Sequence, residues 1–266
     1  MQFSLLDKIR QANPLIHCIT NYVVANYTAN GLLALGASPL MSANVQEMSD
    51  IQHFSKGLLL NIGTLNHSDL DAMICAGRAA NALNVPVVLD PVGVGATPYR
   101  QQAIAHLLQT VKMSVIRGNV GEIATLAEID WQAKGVDAGQ GQADFAAMTQ
   151  AVAQKYHCIV AMSGEIDRIS DGNRVVNIHN GTPLFTRITG AGCLLGAVFA
   201  AFLSVADQDQ AFQATIEACT SYNIAGELAT QGILPQQSGK FAVQLLDCLA
   251  TLRPTDISTR ARVSDE

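Results

Sequence analysis

Charge is scarce in this chain. Asp, Glu, Lys and Arg supply 14% of its 266 residues, where a soluble domain averages about 25%. The deficit is uneven. None of the four occurs from Gln11 to Gln46, from Gly57 to Ser68 or from Ile188 to Ala206. Such stretches cannot all be solvated surface; they imply core, the wall of a site or a subunit interface. Basic residues number 16 against 22 acidic ones, for a net charge of −6, and they form no cluster. That excludes a nucleic-acid scaffold. Disorder is excluded by a hydrophobic content of 49%.

Other absences narrow the setting. The six cysteines show no CxxC pair and no metal-ligand spacing, so they read as free thiols in a reducing cytoplasm. Asp7 and Lys8 stand where a signal peptide needs its apolar stretch. The Ile188–Ala206 run has the length of a membrane span. Thr189, Gly190, Gly192, Gly196 and Ser204 make it too polar and glycine-rich for one, and it reads as a buried helix.

What is present is alternation. Short apolar runs at Leu58–Gly63, Val85–Asp90, Ser114–Asn119 and Cys158–Gly164 read as buried strands. Amphipathic segments separate them: Ser68–Asn84 with Ser68 as N-cap, Gln101–Lys112, Val120–Glu128 and Asp144–Tyr156. This rhythm predicts βαβ units and an α/β fold, with a central, mostly parallel sheet flanked by helices. Arg168–Ser170 and Arg174–His179 read as a hairpin around Asp171-Gly172. Helices follow at Gly192–Val205, Gln208–Gln231 and Phe241–Leu252. No linker divides the chain, so residues 1–252 read as one domain without a separate lid domain. Residues 253–266 carry Pro254 and six charged residues without periodicity, and read as a mobile tail.

In such a sheet, ligands bind beyond the carboxyl ends of the strands. Those ends read Asn61-Ile62-Gly63, Asp90-Pro91-Val92-Gly93, Arg117-Gly118-Asn119 through Glu122, and Ser163-Gly164. Asp90, Asn119 and Glu122 are oxygen donors of the kind Mg2+ uses near phosphates, and Arg117 suits a phosphate. Taken singly, a strand-end Asp is more often a turn or helix cap; four such ends on one edge make a site. The sharpest local signal is Thr189-Gly190-Ala191-Gly192-Cys193 before an apolar helix. Glycines before a helix leave free N–H groups that make an anion hole, although a lone Gly-x-Gly can also merely allow close helix packing. Cys193 falls in the first helical turn, where a thiol pKa tends to fall; by position alone, a small buried thiol is an equal reading.

These residues resemble the hydroxyethylthiazole kinases, a family of ribokinase-like fold. The resemblance runs nearly end to end, through His17–Asn44, Asn61–Leu65, Val87–Thr97, Ile116–Ile123, Ser163–Gly172 and Thr189–Ala197. It implies transfer of a phosphoryl group from ATP to the hydroxyl of 4-methyl-5-(2-hydroxyethyl)thiazole, in thiamine biosynthesis or salvage. It implies an anion hole at Gly190, Ala191 and Gly192, ATP contacts at Arg117, Ser163 and Asn119, Mg2+ at Asp90 and Glu122, and thiazole contacts at Met41 and Gly190. Cys193 takes the catalytic position that related sugar kinases fill with Asp. The family is typically a homotrimer with its substrate site at the subunit boundary. Three positions depart from its pattern: Ala191 and Ser163 where Thr is common, and Gln237-Ser238-Gly239-Lys240-Phe241 in place of Gly-Pro-Gly-Ser-Phe.

Rival readings are a kinase of another small alcohol such as a hydroxymethylpyrimidine, a non-catalytic nucleotide-binding regulator, and a cysteine hydrolase built on Cys193. The last needs a histidine base. Of six histidines, only His17 and His67 fall near a strand end.

Overall fold

The computed structural model describes residues 3–129 and 144–266. The chain opens with α1 (Leu5–Ala12), β1 (Leu15–Ile19), α2 (Ala25–Leu35), β2 (Ser38–Met41) and α3 (Met48–Gln52). The βαβ rhythm continues through β3 (Gly57–Asn61), α4 (His67–Ala82), β4 (Val87–Asp90), α5 (Pro98–Thr110) and β5 (Val115–Asn119). Next come α6 (Val120–Leu126), α7 (Phe145–Tyr156), β6 (Ile159–Ser163), β7 (Asp167–Ser170) and β8 (Val175–Ile178). The last part holds α8 (Ala191–Leu203), α9 (Ala211–Ala229), α10 (Ser238–Thr251), α11 (Pro254–Arg260) and β9 (Val263–Asp265).

All nine described strands share one sheet, in the order β2-β1-β3-β4-β5-β6-β7-β8-β9. Pairing is parallel from β2 to β6 and antiparallel from β6 to β9. The sheet is covered on both faces. Leu59, Val88 and Val115 join α1, α2 and α8–α10 in one core, while Leu58, Leu60, Leu89 and Ile116 join α4–α7 in the other. Burial on both faces is why these strands read as unbroken apolar runs rather than alternating ones.

Two local readings change. The N-cap of α4 is Asn66, not Ser68: Asn66 and Asp69 form a capping box, and the Ser68 hydroxyl donates to Asn66 Oδ1. Where the sequence reads a tail over residues 253–266, the structure has α11 and an edge strand. β9 pairs with β8, and Arg262 donates to the His179 carbonyl and to Glu227. Backbone pairing of β9, the Arg262 contacts and one buried side chain, Ile257, place this segment, and such scattered anchors leave no period in the sequence.

Gln11–Gln46 is split among core, sheet edge and exposed surface. Ile16, Cys18, Leu32 and Leu35 are core, Asn21 and Met41 lie at the carboxyl edge of the sheet, and Tyr22, Val23 and Leu33 are exposed. Before α10, Gln237 accepts the Leu234 N–H through its side chain and its carbonyl accepts the Phe241 N–H.

Candidate active site

The parallel strands end along one edge, and their polar side chains are joined across it. Asn21, just past β1, donates to Asn61 Oδ1 at 2.9 Å. Asn61, closing β3, donates to Asp90 Oδ2 at 2.8 Å. Arg117 on β5 donates to Asp90 Oδ1 at 3.2 Å and to the Ser163 hydroxyl of β6 at 3.1 Å. One network therefore crosses β1, β3, β4, β5 and β6 in the order of the sheet.

The network is buried. Asp90 has no exposed surface and Arg117 is 9% exposed. Burial pushes the Asp90 carboxyl up to about 6, against the pull of Arg117. Burial would lower the Arg117 guanidinium, but Asp90 and Glu122 beside it hold it above its ordinary value. Arg117 Nε is buried without a hydrogen-bond partner, so the guanidinium keeps a donor unspent.

Asn119 and Glu122 form the capping box of α6. Glu122 Oε2 accepts the Asn119 N–H at 2.8 Å, and Oε1 accepts the Gly93 N–H at 2.9 Å. The acid thus ties the loop after β4 to the end of β5. Arg100 of α5 ties that loop to the one after β3, donating to the Val92 carbonyl in the first and to the Ile62 and Gly63 carbonyls in the second. Asp167 supports Ser163 from behind: Oδ1 accepts the Gly164 N–H, and Oδ2 accepts from Asn223 and Cys219.

Helix α8 brings the glycine-rich turn onto the network. Gly190 takes φ +92°, the left-handed region that glycine favours, and packs against Val24 and Tyr27. A Cβ on Gly192 would stand 2.6 Å from Arg117 Nη2, so only glycine lets this backbone approach the guanidinium so closely. Cys193 Sγ accepts a hydrogen bond from Asn21 Nδ2 at 3.5 Å. Its pKa is raised, not lowered as its place in a helical first turn suggests. Burial is the main cause and the Asp90 charge the next. Both oppose the thiolate more than the helix start favours it.

The sequence-predicted residues Asp90, Arg117, Asn119, Glu122, Ser163, Gly190, Ala191, Gly192 and Cys193 converge here. Met41 ends β2, next to β1 on the same edge. Sequence reasoning named Asn61 but missed the roles of Asn21, Arg100 and Asp167. Asn21 was within reach as the carboxamide two residues beyond β1, given a strand over Leu15–Ile19.

The histidines sit apart from this chemistry. His17 Nε2 donates to the Ser42 carbonyl at 3.0 Å and Nδ1 accepts from Gln52 at 2.7 Å, which fixes a neutral ring. His67 begins α4 and meets Tyr99 edge-on. The hydrolase reading therefore lacks the base it requires. A hollow of about 730 Å³ opens at the opposite, amino ends of the strands, among Lys56, Lys112 and His157; no sequence-predicted site residue lines it.

The chain matches the model of the hydroxyethylthiazole kinase family over residues 6–255. It is 58% identical over 261 residues to the hydroxyethylthiazole kinase of Pasteurella multocida, covering 98% of each chain. It is 56% identical over 265 residues to that of Haemophilus influenzae, covering 100% of this chain and 99% of the other. Among solved structures, the hydroxyethylthiazole kinase protein of Pyrococcus horikoshii superposes with a TM-score of 0.89 at 35% identity, over 99% and 98% of the two chains. Staphylococcus aureus pyridoxal kinase, solved with ADP, superposes with a TM-score of 0.65 at 13% identity, over 95% and 98%, a likeness of fold alone. The fold is ribokinase-like, and the chain belongs to the hydroxyethylthiazole kinase family.

Proposed function

We propose that the chain transfers the γ-phosphoryl group of ATP to the hydroxyl of 4-methyl-5-(2-hydroxyethyl)thiazole, in thiamine biosynthesis or salvage. Membership of the family gives the reaction. The observation that carries it onto these residues is the meeting of the Gly190–Cys193 turn with the Arg117–Asp90 pair, an anion site laid against a buried cation.

Arg117, Ser163 and Asn119 are the proposed ATP contacts. Arg117 supports this with a guanidinium that lies against the Gly192 backbone, beside the glycine-rich turn, and suits a phosphate there. The N–H groups of Gly190, Ala191 and Gly192 receive the phosphoryl group in flight. Phosphoryl transfer through a loose transition state depends on positioning and charge neutralisation more than on a strong base. A neutral Cys193 thiol, oriented by Asn21, suffices to steer the alcohol. Met41 and Gly190 frame the thiazole ring.

Mg2+ suits the oxygen donors present. It keeps most of its waters and takes one or two carboxylates plus phosphates. Each Glu122 oxygen accepts one backbone N–H and retains a further lone pair for the ion or its waters. Asp90, fully buried, supplies charge at one remove through Arg117 and Asn61. When bound, Mg2+ would neutralise charge on the transferring phosphates.

We read the assembly as a homotrimer with the thiazole site at a subunit boundary. Exposed apolar side chains support a partner face around α2 and α10: Tyr22, Val23, Leu33, Leu234 and Val243. We place the protein in the cytoplasm; among the described residues no helix is long and apolar enough to cross a membrane.

A coupled ADP-release assay tests the reading. The thiazole alcohol should drive ADP release far above the rate without acceptor, and above hydroxymethylpyrimidine. Equal or greater turnover with the pyrimidine reassigns the substrate. ATP binding without turnover on either makes the chain a regulator.

A further inference from the structure

Tyr222 lies on α9, outside the polar network, and is 2% exposed. Its hydroxyl donates to the Ala191 carbonyl at 2.7 Å. That carbonyl opens α8 and already serves the helical ladder, so a second donor is not needed to satisfy it. What the bond adds is direction. In a planar trans peptide, the carbonyl of one residue and the N–H of the next point opposite ways. Holding the Ala191 carbonyl toward α9 turns the Gly192 N–H away from α9.

We infer that Tyr222 is a positioning residue for phosphoryl transfer, which fixes the Ala191–Gly192 peptide and so aims the Gly192 N–H at the transferring group. This rests on the reading of the Gly190–Gly192 turn as the phosphoryl site. The surroundings of Tyr222 are built to hold it still. Its ring stacks on Phe185 at 5.0 Å between centroids and 11° between planes. Phe185 belongs to the turn Pro183–Arg187 that leads into Gly190, and it meets Phe241 of α10 edge-on at 5.7 Å. Gly226, one helical turn after Tyr222, leaves the space Phe185 occupies: a Cβ there would stand 2.2 Å from Phe185 Cζ. One aromatic shelf thus grips the glycine-rich turn from both sides, through Phe185 before Gly190 and through the Tyr222 hydroxyl after it. Burial raises the Tyr222 pKa well above its ordinary value, so the hydroxyl remains a donor throughout the working range of pH.

Tyr222→Phe removes the hydroxyl and keeps the ring. Turnover should fall about tenfold, short of the 10²–10³ lost when an oxyanion donor is deleted outright. KM for ATP and for the thiazole alcohol should stay within about twofold, since ground-state contacts are intact. Affinity for ADP with aluminium fluoride and the alcohol, which mimic the transferring group, should fall about tenfold, while affinity for a non-hydrolysable ATP analogue holds. Phe185→Leu loosens the same shelf but leaves the hydroxyl. A merely structural Tyr222 would make both variants lose turnover in proportion to their melting temperature. That pattern, or a Tyr222→Phe enzyme with normal turnover and normal affinity for the mimic, overturns the inference. Gly192→Ala separates the levels, because its methyl would press on Arg117. If Gly192→Ala works normally, the turn is not the phosphoryl site and the inference falls with that reading. If it loses turnover while Tyr222→Phe does not, the role of Tyr222 alone is wrong.

Discussion

The Asn21 amide donates to the Cys193 sulfur at 3.5 Å. A loop residue from the first βα unit thereby sets the thiol of a helix more than 170 positions later. The same Nδ2 reaches Asn61 Oδ1, so the thiol is coupled through two carboxamides to Asp90. An amide donor at sulfur favours the thiolate, but burial and the Asp90 charge outweigh it. Cys193 is therefore a placed, protonated thiol rather than an activated base.

That ordering predicts the outcome of Cys193→Asp. A carboxylate is ionised at neutral pH, can take the alcohol proton from the same place, and has the Asn21 amide as a ready donor. Turnover should be kept or raised, and Cys193→Ala should keep ATP affinity. Steady-state kinetics and nucleotide titration measure both. An Asp variant that binds ATP normally but loses most turnover would mean that Cys193 acts by size and shape.

Asp90 sets a pH dependence whose two signs differ. Its folded pKa stands near 6 against an ordinary 3.8, so the native state holds a proton that the unfolded chain has released. Stability linked to this group is full below about 4 and declines as pH rises toward about 6. Activity runs the other way: below about 6 the acid neutralises, the ion pair with Arg117 is lost, and turnover falls. Denaturant titrations of wild type and Asp90→Asn from pH 4 to 7 should differ in slope over that window, with an acid limb of kcat near 6 in wild type alone. Parallel stability curves would count against the raised pKa.

How far the sequence carries can be judged at individual residues. β3 to β6 were legible because each is an apolar run buried on both faces, with a glycine or proline in or next to its end. The site residues at their ends followed from the rule that ligands bind there. β1, α2 and β2 were not legible: within an uncharged stretch, core residues such as Leu32 and exposed ones such as Leu33 look alike. Asn21 was hidden with β1. Arg100 and Asp167 were hidden for another reason. Arg100 reaches the Ile62 and Gly63 carbonyls of another loop, and Asp167 is tied to the Cys219 and Asn223 side chains of a distant helix; no motif spacing encodes such pairs. The direction of the Cys193 shift needed burial, which helix position alone does not give.

Arg117→Ala should weaken ATP binding by about 1.5–3 kcal/mol, the range for a hydrogen bond to a charged group. It should also cost stability by about 3–5 kcal/mol, because it strands the buried Asp90 charge. Arg117→Ala combined with Asp90→Asn should regain most of the stability and none of the affinity. Calorimetric ATP titration and chemical denaturation of the three variants separate the two effects. Wild-type ATP affinity in the single variant would remove Arg117 from the phosphate.

Glu122→Gln should raise the Mg2+ concentration needed for half-maximal turnover, with little change in thiazole binding. The neutral side chain retains one oxygen acceptor, so one of the Gly93 and Asn119 N–H groups faces an NH2 instead. A cost of about 1–3 kcal/mol in stability follows from leaving that donor unmade. The metal titration decides: unaltered Mg2+ dependence in a destabilised enzyme would confine Glu122 to holding the loop and capping α6.

Val23 and Val24 are adjacent and should respond oppositely to the same change. Val23 is 59% exposed beside Tyr22 at 82%, whereas Val24 is 3% exposed and packs against Gly190. An Asp at Val23 costs a lone chain little, but in a trimer interface it buries an unpaired charge at a cost of several kcal/mol. Val23→Asp should therefore fold normally, sediment as a smaller species, and bind the thiazole alcohol weakly, because the site would lose its neighbouring subunit. Val24→Asp should lower the melting temperature and disturb the glycine-rich turn whatever the assembly state. Met41→Glu should weaken thiazole binding without dissociating the protein. Sedimentation velocity, thermal unfolding and thiazole titration on the same samples distinguish these effects. A wild-type protein that sediments as a monomer would defeat the trimer reading, as would a Val23→Asp protein that assembles and binds the alcohol normally.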